Sequence, residues 1–147
     1  MKDGKSLDKI GGLLESVAAK SVPFLDKCSE TKLLAYSDIN QAHLQYRELA
    51  NKALCGSEKI LDSGPNCRSR FRAVRSALQQ KEMTPDLVRA LNNLRNSYMD
   101  EILQPAVRGY LSGQSRSRRK VEDLYEKVFR IDGLIEVGQF FKRVDSL

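Results

Sequence analysis

The sequence predicts an all-α protein: a single-domain bundle of five to six helices that includes one long helix over about residues 24–61. Three observations carry that expectation. Apolar residues recur three and four apart along nearly the whole chain, and no segment keeps the period of two that a half-buried strand requires. Between Phe24 and Leu54 there is neither glycine nor proline. The clusters of turn-forming residues, "DSGPN" and "SGQSRSRRK", fall between periodic segments, where they read as stops. At 147 residues, 41% hydrophobic and 30% charged, the chain has the length of one domain and enough apolar surface to fold without disulfides or metal.

Taken in order, the first helix shows Leu7, Ile10, Leu14 and Val17 at helical spacing, with Ser6 available as its N-cap. Ser21-Val22-Pro23 is expected to interrupt it, because proline lacks a backbone donor and suits the first turn of a new helix. From Leu25 through Cys28, Ala35, Ala42, Tyr46, Leu49 and Ala53 to Ile60 an apolar seam then alternates by three and four, spoiled only by Lys32. It reads as one helix, or two collinear ones broken near Ser37-Asp38, packed in the manner of an antiparallel coiled coil.

The "DSGPN" turn ends that stretch. A shorter helix over "CRSRFRAVRSALQQK" follows, with Phe71, Val74 and Leu78 inward. Thr84-Pro85-Asp86 opens the next one with a cap, a first-turn proline and an acid at the positive helix end. Its inner face is Leu87, Leu91, Leu94, Tyr98 and Ile102, and Pro105 kinks or ends it. A basic loop at 112–120 precedes the last helix, which Ser117 is placed to cap. That helix buries Val121, Leu124, Tyr125 and Val128 and can continue past Gly133 through Leu134, Ile135 and Phe141. No internal repeat divides the chain, so residues 1–147 form one domain in this reading.

Charge is uneven. The net +6 comes entirely from two segments: residues 66–83, at +4, and residues 104–120, at +5. Residue type changes with it. Residues 1–65 use eight lysines and one arginine, Arg47, whereas residues 66–120 use ten arginines and two lysines. Arginine presents a planar fork that pairs bidentately with carboxylate or phosphate, where lysine acts as a hydrated point charge. Arg68, Arg72 and Arg75 stand at i, i+4 and i+7 and therefore form one stripe, whose mutual repulsion an anion would relieve. With Arg116, Arg118, Arg119 and Lys120 they are the candidate partner-binding residues. The competing explanation is a solvated face salt-bridged to Glu122, Asp123 or Glu126.

Catalytic and metal-binding patterns are missing from the sequence. Cys28, Cys55 and Cys67 show no paired spacing and read as core residues or free thiols; a Cys55–Cys67 bridge has nothing else to recommend it. His43 is the only histidine, and it flanks the apolar seam. Glycine-rich phosphate loops, HExxH and EF-hand patterns do not occur. The expectation is a non-enzymatic interaction or adaptor module without cofactor. It would bind an acidic protein surface or helix with help from the arginines. Charge-driven nucleic-acid binding is the first alternative and an anionic membrane surface the second. A homo-oligomer paired through the 39–60 seam is a further partner class. The acids Asp3, Asp8 and Glu15 argue against a secretory signal, so a soluble protein of the reducing cytoplasm is expected, specialised export routes apart.

Overall fold

The computed structural model describes residues 2–80, 84–114 and 117–145. Every regular element among them is helical. Helix α1 spans Lys2–Ser37, α2 Ile39–Leu54, α3 Glu58–Leu61 and α4 Pro65–Gln79. Helix α5 covers Thr84–Tyr98, runs through a π-helical turn at Met99–Leu103 and continues as α6, Gln104–Leu111. The last helix, α7, is Arg118–Asp145. The all-α expectation is met; the placement of the long helix is not.

The long helix is α1, which begins before Ser6 and passes through Pro23 without a break. The carbonyl that the proline leaves without its donor is that of Ala19, and in the turn before it Ser21 Oγ donates to the carbonyl of Val17 at 2.9 Å, a bond of the kind that bends a helix. Leu13 and Val17 before the proline and Phe24 and Cys28 after it are all held by the core, so tertiary burial outweighs the lost backbone bond.

The 24–61 stretch instead breaks twice. At Asp38, with φ −149° and ψ 89°, the carboxylate caps α2 by accepting from the Gln41 amide at 3.1 Å. The two helices it separates are not collinear. A straight helix would put Tyr46 about 27 Å beyond Cys28 at 1.5 Å per residue, yet Cys28 packs beside Gly133 and the Tyr46 hydroxyl donates to the carbonyl of the next residue, Leu134. The chain therefore folds back on itself at Asp38, and the seam closes within one molecule. The second break is the turn at Gly56, with φ 79°, a left-handed conformation suited to glycine.

Helix α7 is the organising element. It runs parallel to α1, with Lys20 on Glu122 at 3.1 Å, Lys32 on Glu136 at 2.9 Å and Tyr36 edge-on to Phe140 at 5.4 Å marking successive levels. Helix α2 is antiparallel to it: the Tyr46 hydroxyl donates to the Leu134 carbonyl at 2.6 Å and His43 stacks on Phe141 at 4.5 Å. Helix α5 is antiparallel too, with the Tyr98 hydroxyl donating to the Leu124 carbonyl at 2.6 Å and Arg95 paired to Asp132. Gly133 and Gly138 allow these close approaches. A Cβ on Gly133 would meet Phe24 at 2.9 Å, and one on Gly138 would run into Val88 and meet the Tyr46 hydroxyl at 2.9 Å. Helix α4 packs on α5 from outside.

The main core joins α1, α2, α4, α5 and α7, and includes Phe71, Val74 and Leu78, and Leu87, Leu91, Leu94 and Tyr98, as the periodicity predicts. A smaller cluster of Leu13, Val17, Tyr110 and Val121 ties the first half of α1 to α6 and to the start of α7. Pro105 neither ends its helix nor opens a turn. A proline there leaves the Glu101 carbonyl without its usual donor, and the π turn ending at Leu103 absorbs the defect.

Candidate interaction surface

Helix α4 positions the first group of arginines. Phe71, Val74 and Leu78 face inward, which turns Arg68, Arg70, Arg72 and Arg75 to solvent. The helix has no side-chain cap of its own at Gly64. Its first turn is held from across the bundle by Glu101 of the π turn, whose carboxylate accepts from the Cys67 amide at 2.6 Å and the Asn66 amide at 3.2 Å. The Gly64 position is tight for this reason, since a Cβ there would lie 2.9 Å from a Glu101 oxygen.

The arginines differ in how they are used. Arg68 folds back to donate from Nε and Nη2 to the Asp62 carbonyl at 3.2 and 3.0 Å. Arg75 lies over the Phe71 ring at 5.6 Å. Arg70 and Arg72 are exposed and have no ion-pair or hydrogen-bond partner among the described residues. The carboxylates offered as structural partners are engaged elsewhere or not used: Glu122 takes Lys20 and Arg118, and Glu126 takes Arg130 at 2.6 Å.

The second group is divided. Arg116 and its neighbour Ser115 lie outside the described residues. Arg118 donates to Glu122 at 2.8 Å, and Lys20 reaches the other oxygen of the same carboxylate from α1. Those two hydrogen bonds hold the Glu122 carboxyl below the usual carboxylate range. Arg118 is thus committed to its i,i+4 neighbour, as the salt-bridged alternative expected, and it is Lys20 that ties the same carboxylate to α1. Ser117 caps α7 as expected, accepting from the Lys120 amide at 3.2 Å. Arg119 and Lys120 are exposed, and with Ile60, Asp123 and Leu124 they line an open hollow of about 270 Å³ beside α3. Because Arg68 holds Asp62 at the far side of α3, the structure brings Arg68, Arg119 and Lys120 to one end of the bundle. Arg72 and Arg75 continue away from that end along α4.

The groups with nucleophilic or ligating chemistry are dispersed. Among the described residues no three of His, Cys, Asp and Glu are grouped to hold a metal ion. Burial pushes the Cys28 thiol up to about 11 and the Cys67 thiol up to about 12, which suppresses both thiolates. All three cysteines are free, Cys55 exposed and Cys67 buried. A second hollow, about 320 Å³, lies along the π turn between Met99, Leu103, Val107 and Tyr125, with Gln104 and Arg108 as its polar groups. No described helix is long and apolar enough to cross a membrane.

No protein-family model, curated protein or solved structure matches the chain.

Proposed function

We propose that this chain is a non-enzymatic helical interaction module whose basic surface, centred on α4, recognises an acidic surface or helix of a protein partner. The observation that supports this most directly is Arg72. Its guanidinium is exposed without a carboxylate among the described residues, and Arg68 and Arg75 stand at i−4 and i+3 in the same stripe. Like charges at that spacing repel by a few tenths of a kcal/mol per pair (about 0.2–0.5). An anionic partner would relieve that repulsion and engage Arg72 bidentately; Arg70, equally unpaired among the described residues, stands on the other flank of α4. Arg119 and Lys120, at the Arg68 end, extend the same complementarity.

A protein partner is preferred to nucleic acid because the arginines stand without a stacking platform. Among the described residues the only exposed aromatic side chain is Tyr36, and it belongs to α1.

The test is fluorescence anisotropy of the full chain with a labelled acidic helical peptide and, separately, with short single- and double-stranded RNA and DNA, each titrated with salt. Saturable peptide binding that drops at least tenfold in R70E/R72E/R75E is the expected result. Binding of nucleic acid alone, with a steep log–log salt slope lost in the same variant, would replace this assignment by the nucleic-acid one.

A further inference from the structure

We infer that the outward face of α1 is a separate docking surface, built to receive a basic amphipathic helix from a partner protein. It is independent of the arginine row and carries the opposite chemistry.

Helix α1 turns about 100° per residue, so Leu13, Val17, Phe24, Cys28 and Ala35 share the side packed into the bundle. Val22, Leu25, Leu33 and Tyr36 lie outside that packed arc, at i, i+3, i+11 and i+14, and are 50%, 40%, 71% and 68% exposed, with Tyr36 at the edge where α1 meets Phe140 of α7. Single exposed apolar residues are ordinary on any surface. These four are aligned in one stripe about 21 Å long at 1.5 Å per residue, with Ala18 and Ser29 as small residues in the same line. A row of large and small side chains along one exposed helix face has the form of the seam into which a second helix packs.

The charges around the stripe say what kind of helix. Asp8, Glu15, Asp26 and Glu30 lie along one edge of the stripe, all exposed and none with an ion-pair partner among the described residues. On the other edge Lys32 is paired with Glu136 on α7. Lys20 reaches Glu122, Lys9 lies over the Tyr110 ring at 3.8 Å, and Lys27 stands roughly 120° around the helix from the stripe. A protein of net charge +6 thus presents, among its described residues, an apolar stripe bordered on one edge by unpaired carboxylates.

This charge selects the occupant. An anionic bilayer would be repelled. A second copy docking α1 to α1 would oppose four carboxylates to four, and the solvent face of α4 offers arginines but no large apolar side chain. A helix with leucine-like residues on one side and Lys or Arg along the edge that meets the acids would fill the stripe and pair with them.

The experiment uses the intact chain and a fluorescein-labelled synthetic helix of about 18 residues, five turns, with Leu at three-four spacing and Lys elsewhere. Two controls accompany it: a scrambled peptide of the same composition, and a version with Glu for Lys. Expected is saturable binding of the basic amphipathic peptide at least tenfold tighter than either control. It should weaken at least tenfold in V22S/L33S and in D26K/E30K and stay unchanged in R70E/R72E/R75E, with far-UV circular dichroism confirming that each variant is folded. Absence of binding, affinity equal to the scrambled peptide, or indifference to the α1 variants would overturn the inference. So would a dimer in sedimentation velocity that dissociates on Leu33→Ser, because it would assign the face to a second copy. The α4 variants keep this outcome apart from that of the proposed function.

Discussion

At Gly138 the absence of a side chain decides a stability argument that helix propensity alone would get backwards. Glycine inside a helix is worth about 1 kcal/mol less than alanine, so Gly→Ala should be favourable wherever there is room. Gly11 of α1 has room, with nothing within 4 Å of its Cβ position, and G11A is expected to stabilise by about 0.5–1 kcal/mol. Gly138 has none: its Cβ would strike Val88 and crowd the Tyr46 hydroxyl, which is itself fixed on the Leu134 carbonyl. Overpacking of this kind costs about 1–3 kcal/mol, enough to reverse the sign, and G138A is expected to be destabilised. Urea denaturation of the two variants beside the parent checks both. Stabilisation by G138A would mean that α5 and α2 can move off α7 freely. Gly138 gave no sequence signal, because a glycine required by a neighbouring helix and one merely tolerated on a surface look alike until the neighbour is known.

Among the elements, α1 tests how much local signals count against burial. The proline at 23 was the reason to expect a break, and the lack of glycine and proline from 24 to 54 the reason to expect one helix, or two collinear ones broken near Ser37-Asp38; the chain runs through the proline and, at Asp38, breaks where that alternative put it but folds back instead of running on. Apolar periodicity found most of the inward residues, because it reports which side is buried, but it took Leu14 for the buried Leu13, passed over Val88 and Val137, and put the exposed Leu25 in the seam. It is silent on direction, and a seam that stays in phase across Asp38 looks the same whether the chain runs on or folds back. The short α3, the π turn and the cap that Glu101 supplies to α4 were equally hidden, since each depends on a partner far along the chain. If packing alone carries α1 past Pro23, the missing hydrogen bond is a standing defect. Pro23 is exposed, so P23A removes no core contact. It is expected to raise stability by about 1–3 kcal/mol, the proline penalty less whatever the helix has already relaxed. A shifted urea midpoint at constant slope would show it; an unchanged midpoint would mean that the bend at Pro23 is matched to α7 and useful to the fold.

Over the whole molecule, charge does two separable things: it clamps helices together and it is left over. The clamp is Glu122, nearly buried, with Lys20 from α1 and Arg118 on its two oxygens. Its folded-state pKa lies below the ordinary 4.5. The stability it supplies is therefore fully present above that value and is lost as pH falls through the lower, folded-state one. E122Q should melt below the parent at pH 7, and the gap should close as the pH is taken below about 4. A gap that persists in acid would show that Glu122 acts by packing and not by charge.

The left-over charge is the part of the candidate site that was legible beforehand, since arginine content and helical spacing are sequence properties; so was the i,i+4 pairing of Arg118 with Glu122, while the reach of Lys20 to that carboxylate from α1 was not. Arg72 in the stripe, and Arg70 on the other flank of α4, separate the two explanations of the exposed arginines without any partner in hand. Were they structural, they would hold carboxylates, and neutralising them would cost stability; they hold none among the described residues. R70Q/R72Q is therefore expected to leave the unfolding free energy within about 0.5 kcal/mol of the parent, or slightly above it, because the middle member of the like-charged row, Arg72, has gone. It should also flatten the rise of melting temperature with added salt, as screening would have less repulsion to remove. A loss well beyond that margin would identify carboxylate partners for the row and return α4 to an ordinary salt-bridged surface. Stability unchanged and partner binding lost would mean that the molecule carries these charges for something outside itself.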